Sequence, residues 1–259
     1  MIDLTSARIV ITGGSAGLGL EMVKSLVQCG AEVTAIARDD IKLAAARESG
    51  AQTIAGDATD AALIRSAVTD IDPDVLILNA GSKLRTTTID QQDWEGFSGI
   101  WNTDVKATFV GIQAALNNPM RPGTRVLVTS SGAAMVMSHP NIKPYDLRMS
   151  SGYVGAKRMV WFMAHQANAV SRDRGLNINF QVLVPGQLVG ATALGHAVAT
   201  ACAAADGVTI EEHILHRYGS HLQAAQIGRQ VAELLTDPRY EQGVAFGFRD
   251  NVDIIPFDQ

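Results

Sequence analysis

Short runs of apolar, β-branched residues alternate along this chain with longer stretches whose apolar positions recur every three to four residues. Ile9, Val10 and Ile11 make RIVIT (Arg8–Thr12) a buried strand. Leu18, Leu20, Met22, Val23, Leu26 and Val27 then follow helical spacing, which predicts a helix from Gly17 to about Gln28. The same alternation predicts strands at Glu32–Ala37, QTIAG, DVLILNAG, TRVLVTSS, NINFQVLVPG and, near the end, GVAFGF. Helices are predicted over Asp40–Ser49, Asp60–Thr69, about Asp93 or Phe97 to Leu116, and Ser151 to about Arg174, with a mostly helical last third. Strands alternating with helices across short connections pair in parallel through right-handed crossovers. Near-continuous apolar strands imply helices on both sheet faces. The expected fold is α/β and doubly wound, a seven-stranded, mostly parallel sheet in one domain over residues 1–259.

Composition narrows the picture. Apolar residues are 47% of the chain, enough for a core of this size. Charged residues are only 18%, so subunit contacts are plausible. The net charge of −5 and the lack of any basic run argue against nucleic acid or a polybasic membrane surface. No basic segment precedes a long apolar stretch, so neither a leader nor a membrane span is expected, and a cytoplasmic location is. Cys29 and Cys202 stand far apart, form no CxxC motif, and read as buried thiols rather than a metal or redox pair.

Four glycines, Gly13, Gly14, Gly17 and Gly19, separate the first strand from the first helix. In an open α/β sheet this loop sits at the carboxyl end of a strand, where ligands bind. The helix it opens offers free N–H groups and a positive dipole end, both suited to phosphate. Close approach of a pyrophosphate explains the glycines; a turn shaped only by packing is the plainer alternative. Tyr153 and Lys157, four residues apart, share one helix face. A free phenol is a poor base near neutrality, and a neighbouring ammonium stabilises its phenolate.

Taken together, Thr12-Gly13-x-x-x-Gly17-x-Gly19, GDATD around Asp57, Asn79-Ala80-Gly81, YVGAK from Tyr153 to Lys157, and Pro185-Gly186 resemble the short-chain dehydrogenase/reductase family in its shorter, single-domain branch. The resemblance spans about Arg8 to Leu188. It implies a Rossmann-like fold and a nicotinamide cofactor held by Gly13, Ser15, Ala16, Gly17, Leu18 and Gly19, by Asp57 and Ala58, by Asn79, Ala80 and Gly81, by Pro185, Gly186 and Leu188, and by Tyr153 and Lys157. Arg38 ends the second strand where an acid would select NAD(H), so NADP(H) is expected over NAD(H), although Asp39 and Asp40 follow at once. Tyr153 is the implied proton donor and acceptor, and Lys157 its partner. VTSSG offers Ser130 and Ser131, of which Ser131 matches the family's oxyanion-binding serine.

The chain also departs from the family. Asp104 occupies the position of the family's asparagine, with Asn102 two residues before it, and a carboxylate there, near Lys157, can form an ion pair. The Ser131–Tyr153 interval is long, and His139, Lys143 and Tyr145 within it are candidates to border the substrate. Gly190 stands where a phosphate-contacting threonine is usual, with Thr192 nearby, and a segment about 187–220 resembles a substrate lid, in which His196 is a possible contact. The expectation is an oxidoreductase interconverting a small-molecule ketone and a secondary alcohol, without a metal. A homotetramer or homodimer would be joined partly through Arg158–Val170. A non-catalytic NADP(H)-binding regulatory or scaffold protein is the alternative.

Overall fold

In the computed structural model, which describes residues 1–82, 87–138, 151–187, 189–190, 192–220 and 222–257, the apolar runs become strands. These are β1 (Arg8–Thr12), β2 (Glu32–Ala37), β3 (Gln52–Ala55), β4 (Val75–Leu78), β5 (Arg125–Thr129), β6 (Asn179–Pro185) and β9 (Ala245–Phe248). With β10 (Ile255–Pro256) they form one sheet in the order β10-β9-β6-β5-β4-β1-β2-β3. Every neighbouring pair is parallel except β10 on β9. The doubly wound architecture is as expected, but the sheet has eight strands rather than seven. β10 and a separate parallel pair, β7 (Val189–Gly190) and β8 (Leu222–Gln223), were not anticipated. Two-residue strands are too short to show periodicity, and only their tertiary partners create them.

Helices cover both faces, so each strand must be apolar on both sides. On one face Met22 and Leu26 of α1 (Gly17–Gln28) and Ile227 and Val231 of α9 (Ala224–Thr236) bury against Ile9, Ile11 and Phe246. On the other, α3 (Ala61–Ile71), α5 (Lys106–Asn117) and α6 (Ser151–Asp173) bury Ile64, Val110 and Val160 against Val10, Leu76 and Val128. Each such aliphatic side chain contributes about 1.5–3 kcal/mol on burial. The predicted helix over Asp40–Ser49 forms only as α2 (Ala44–Glu48). Its missing first turn is a loop in which Asp39 accepts from the N–H groups of Ile41 and Lys42.

From Trp94 to Asn117 the chain stays helical, as α4 (Trp94–Ile100), a π-type turn over Trp101–Val105, and α5. The wide turn inserts a residue, which rotates α5 by about 100° relative to an uninterrupted helix. Asp104 lies in this turn and is buried, whereas Asn102 is exposed. Beyond β6, α7 (Ala193–Asp206) and α8 (Ile210–Tyr218) form an excursion whose two ends are joined by the β7–β8 pair. Both cysteine expectations need correction. Cys29 is exposed because it caps the end of α1, and Cys202 is half-buried on α7 beside the cleft at the sheet edge. No helix among the described residues is long and apolar enough to cross a membrane by itself.

Candidate active site

Because the strands run parallel, their carboxyl ends share one edge of the sheet, and a cleft of about 1640 Å³ opens there. That exceeds the ~300–1,000 Å³ of a pocket for one drug-sized ligand, leaving room for a large cofactor and a second molecule. The glycine loop forms one part of its wall. Gly13 has φ +72°, and a Cβ there would press on the Ala80 backbone at 2.9 Å. A Cβ on Gly19 would collide with the Gly13 carbonyl oxygen and the Asn79 amide. The loop is pinned from β4: Thr12 Oγ1 accepts from the N–H groups of Asn79 (3.0 Å) and Ala80 (3.2 Å), and Asn79 Nδ2 donates to the carbonyls of Thr12 and Gly13 (both 3.4 Å).

Four other helices, α3, α4, α7 and α8, begin with a side-chain cap from Asp60, Asp93, Thr192 and Thr209. α1 is preceded at its cap by Ala16, which has none to offer, and its first-turn residues line the cleft. An uncapped helix end beside a loop with no room for side chains fits a phosphate. Ser15, Leu18 and Gly81 also line the cleft. Gly19→Ala is expected to displace the Gly13 carbonyl and weaken dinucleotide binding at least about 30-fold, or ~2 kcal/mol. Titration calorimetry would read this, and retained affinity would mean that the loop is shaped for packing.

Arg38 is the first residue beyond β2 and lines the cleft with Asp57 and Ala58. The two acids beside Arg38 are already engaged. Asp39 accepts from two backbone N–H groups and pairs with Lys42 at 3.4 Å; the Lys42 N–H is foremost in holding its carboxyl below the usual range. Asp40 pairs with Arg47. Asp57 is likewise held low, first by the Thr59 N–H at 2.8 Å and more weakly by Arg38 and Lys106.

Near the middle of the cleft, α6 brings Tyr153 and Lys157 to the end of β5. Lys157 Nζ lies 5.6 Å from the Tyr153 ring centre and donates to the Thr129 carbonyl at 3.2 Å. It also pairs with Asp104 Oδ2 at 3.0 Å, both side chains being over nine-tenths buried. Burial alone would push the Lys157 ammonium down, but the charge of Asp104 and then Tyr153 more than offset it, leaving its pKa raised. Asp104 Oδ1 accepts from the N–H (2.7 Å) and hydroxyl (3.0 Å) of Ser82. Ser130 is buried and its hydroxyl donates to the Lys157 carbonyl at 2.8 Å, tying β5 to α6. Ser131 is half-buried on the cleft wall, where its Oγ accepts from Ala133 N–H at 3.2 Å.

Pro185 and Gly186 also line the cleft; Leu188, like His139, Lys143 and Tyr145, lies outside the described residues. Thr192 reaches the glycine loop, its methyl 3.5 Å from where a Cβ on Gly17 would sit. His196, on α7, is exposed and does not line the cleft. The histidines that do line it are His213 and His216 on α8. Sequence reasoning also missed Ser82, Gln187 and Arg249. None stands in a motif, and only the pairing of β6 with β9 and the return of α8 bring the last two together.

A family model described as short chain dehydrogenase matches residues 7–201. This chain belongs to that family. A probable oxidoreductase of Streptomyces antibioticus is 32% identical over 205 residues, covering 73% of this chain and 66% of the relative. Gluconate 5-dehydrogenase of Gluconobacter oxydans (strain 621H) is 30% identical, over 56% of this chain and 60% of the relative. A 1,2-dihydroxy-1,2-dihydronaphthalene dehydrogenase of a Ralstonia species is 35% identical, over 48% and 52%. The matched region thus spans between half and two thirds of these relatives. Two solved structures share the fold, each with TM-score 0.74 over 96% of this chain and 98% of theirs. One is a blue fluorescent protein from a metagenomic library in complex with NADPH, 24% identical, and the other an actinorhodin polyketide ketoreductase variant with NADPH, 20% identical.

Proposed function

We propose that this short-chain dehydrogenase is an NADP(H)-dependent oxidoreductase that interconverts a carbonyl and a secondary alcohol. The observation that carries the proposal is the convergence of Tyr153, Lys157 and Ser131 on the same cleft as the uncapped α1 terminus and its glycine loop. NADP(H), when bound, supplies or accepts the hydride. Tyr153 delivers a proton to the carbonyl oxygen, or takes one from the alcohol, with Lys157 stabilising the phenolate. Ser131 donates a hydrogen bond to the oxygen as charge develops on it. Ser130 is a structural neighbour, since its hydroxyl is directed to the Lys157 carbonyl. Relatives named for dehydrogenation of a hydroxy acid and of a dihydrodiol accord with a hydroxylated carbon as the reacting centre.

Preference for NADP(H) rests on Arg38, whose planar fork suits a ribose 2′-phosphate. Asp39 and Asp40 do not oppose this, because Lys42, Arg47 and backbone amides already compensate them. The segment about 187–220 acts as the lid, tethered by the β7–β8 pair. Exposed Phe109 on α5 and Phe162 on α6 provide the apolar face for a homodimer or homotetramer.

Calorimetric titration with NADPH and NADH tests the proposal. NADPH is expected to bind more tightly, and Arg38→Asp to weaken NADPH at least about tenfold more than NADH, ~1.4 kcal/mol. Equal losses would overturn the cofactor preference, and binding of neither would remove the oxidoreductase reading.

A further inference from the structure

We infer that the substrate carries an anionic group, a carboxylate in the simplest case, and that Arg249 binds it. The inference rests on the oxidoreductase reading for the identity of the cleft, but on different residues. Of the arginines lining the cleft, Arg38 is the first residue past β2 and Arg249 the first past β9. Five strand spacings separate β2 from β9, so the two cations stand roughly 24 Å apart along the sheet edge. Ser131, just past β5, is only two spacings from β9, about 10 Å. Arg38 therefore stands toward the β3 edge of the sheet and Arg249 toward the β10 edge, on opposite sides of Ser131 and the reacting centre.

Local packing supports this placement. A Cβ on Gly132 would lie 3.1 Å from the Gly186 Cα, and a Cβ on Gly186 would lie 3.3 Å from Arg249 Cγ and Nε. Ser131-Gly132, Gly186 and Arg249 thus stack side by side across the ends of β5, β6 and β9, with glycine keeping the gap narrow. The Arg249 main chain is held on both sides. Gln226 Nε2 donates to its carbonyl at 3.2 Å, and Gln187 Oε1 accepts the next N–H, that of Asp250, at 2.6 Å. Gln187 Nε2 in turn donates to the Tyr218 carbonyl at 3.0 Å, so the same side chain ties Arg249 to the end of α8.

The guanidinium itself has no hydrogen-bonded partner among the described residues. Adjacent Asp250 accepts from Asn251 Nδ2 at 2.8 Å, and Asp206 at the end of α7, which also lines the cleft, is held by His213 Nδ1 at 2.9 Å. A fixed main chain and a planar cation without a hydrogen-bonded partner suit bidentate capture of a carboxylate.

The test uses the full-length protein with NADPH and three keto acids, benzoylformate, acetoacetate and levulinate, each beside its methyl ester. These place the carboxylate one, two and three carbons along from the ketone. In calorimetric or NMR titration, at least one acid is expected to bind about tenfold or more tightly than its ester. Arg249→Gln should bring that ratio close to one, and Arg249→Lys should retain part of it. Indifference to acid and ester across the panel, or a preference that survives Arg249→Gln, overturns the inference. Failure of the underlying reading shows separately, as absence of NADPH binding. An acid preference measured without cofactor would still report on Arg249.

Discussion

Tyr153→Phe is expected to lower turnover about 10²–10⁴-fold while leaving the NADPH dissociation constant within about twofold. The phenol is a half-buried group on the cleft wall, one helical turn from Lys157, and removing its oxygen deletes the proposed proton carrier without disturbing the ring's packing. The glycine loop, α1 and Arg38 are untouched, so cofactor binding persists. Steady-state kinetics beside a calorimetric NADPH titration separates the two quantities. Activity reduced by less than about tenfold would reject Tyr153 as the acid/base. A biological function that survives the change would favour the non-catalytic alternative.

Asp104→Asn is expected to destabilise the fold by about 3–5 kcal/mol, the usual consequence of removing one member of a buried ion pair. The environment leaves little room for compensation. Ser82 presents two donors to Oδ1, so the asparagine oxygen must stay there, and its amide would turn towards the Lys157 ammonium. Two donors would then meet where an ion pair stood. The residue usual for the family at this position is therefore the poorer fit in this chain. The effect has a pH signature. Lys157 titrates higher in the fold than its ordinary 10.5, so its paired charge stabilises fully below that value and the contribution fades as pH rises through the folded pKa. The difference between wild type and variant in urea unfolding should be largest near neutral pH and shrink as pH rises, first as the variant's buried Lys157, without the Asp104 charge, gives up its proton below 10.5, and then as the wild-type pair loses its contribution above that value. A difference below about 1 kcal/mol at pH 7 would mean that the pair is not closed in solution.

Much of the candidate site is local and therefore legible. The β1 run, its glycines and the α1 periodicity are consecutive, and each follows from backbone sterics and burial within a few residues. Tyr153 and Lys157 share a face through helical geometry alone. Ser131 and Arg38 were placed by the ends of strongly apolar strands. The sequence by itself therefore determined the doubly wound sheet, the glycine loop and the residue types that meet at its edge. It could not determine what depends on partners distant in the chain. The two-residue strands β7, β8 and β10 exist only through pairing with segments outside their own few residues. The pairing of Asp104 with Lys157 follows from the family position it occupies, but its engagement by Ser82 is linked to no pattern, and the π-type turn that aims it has no periodic signal. Asp39 and Asp40 looked like obstacles to a phosphate until their amide and cationic partners were seen. Arg249 and Gln187 came together only because β9 pairs with β6. Chain-local sterics and hydrophobic burial set the elements, whereas the pairing of charges and hydrogen bonds between elements was decided by the tertiary structure.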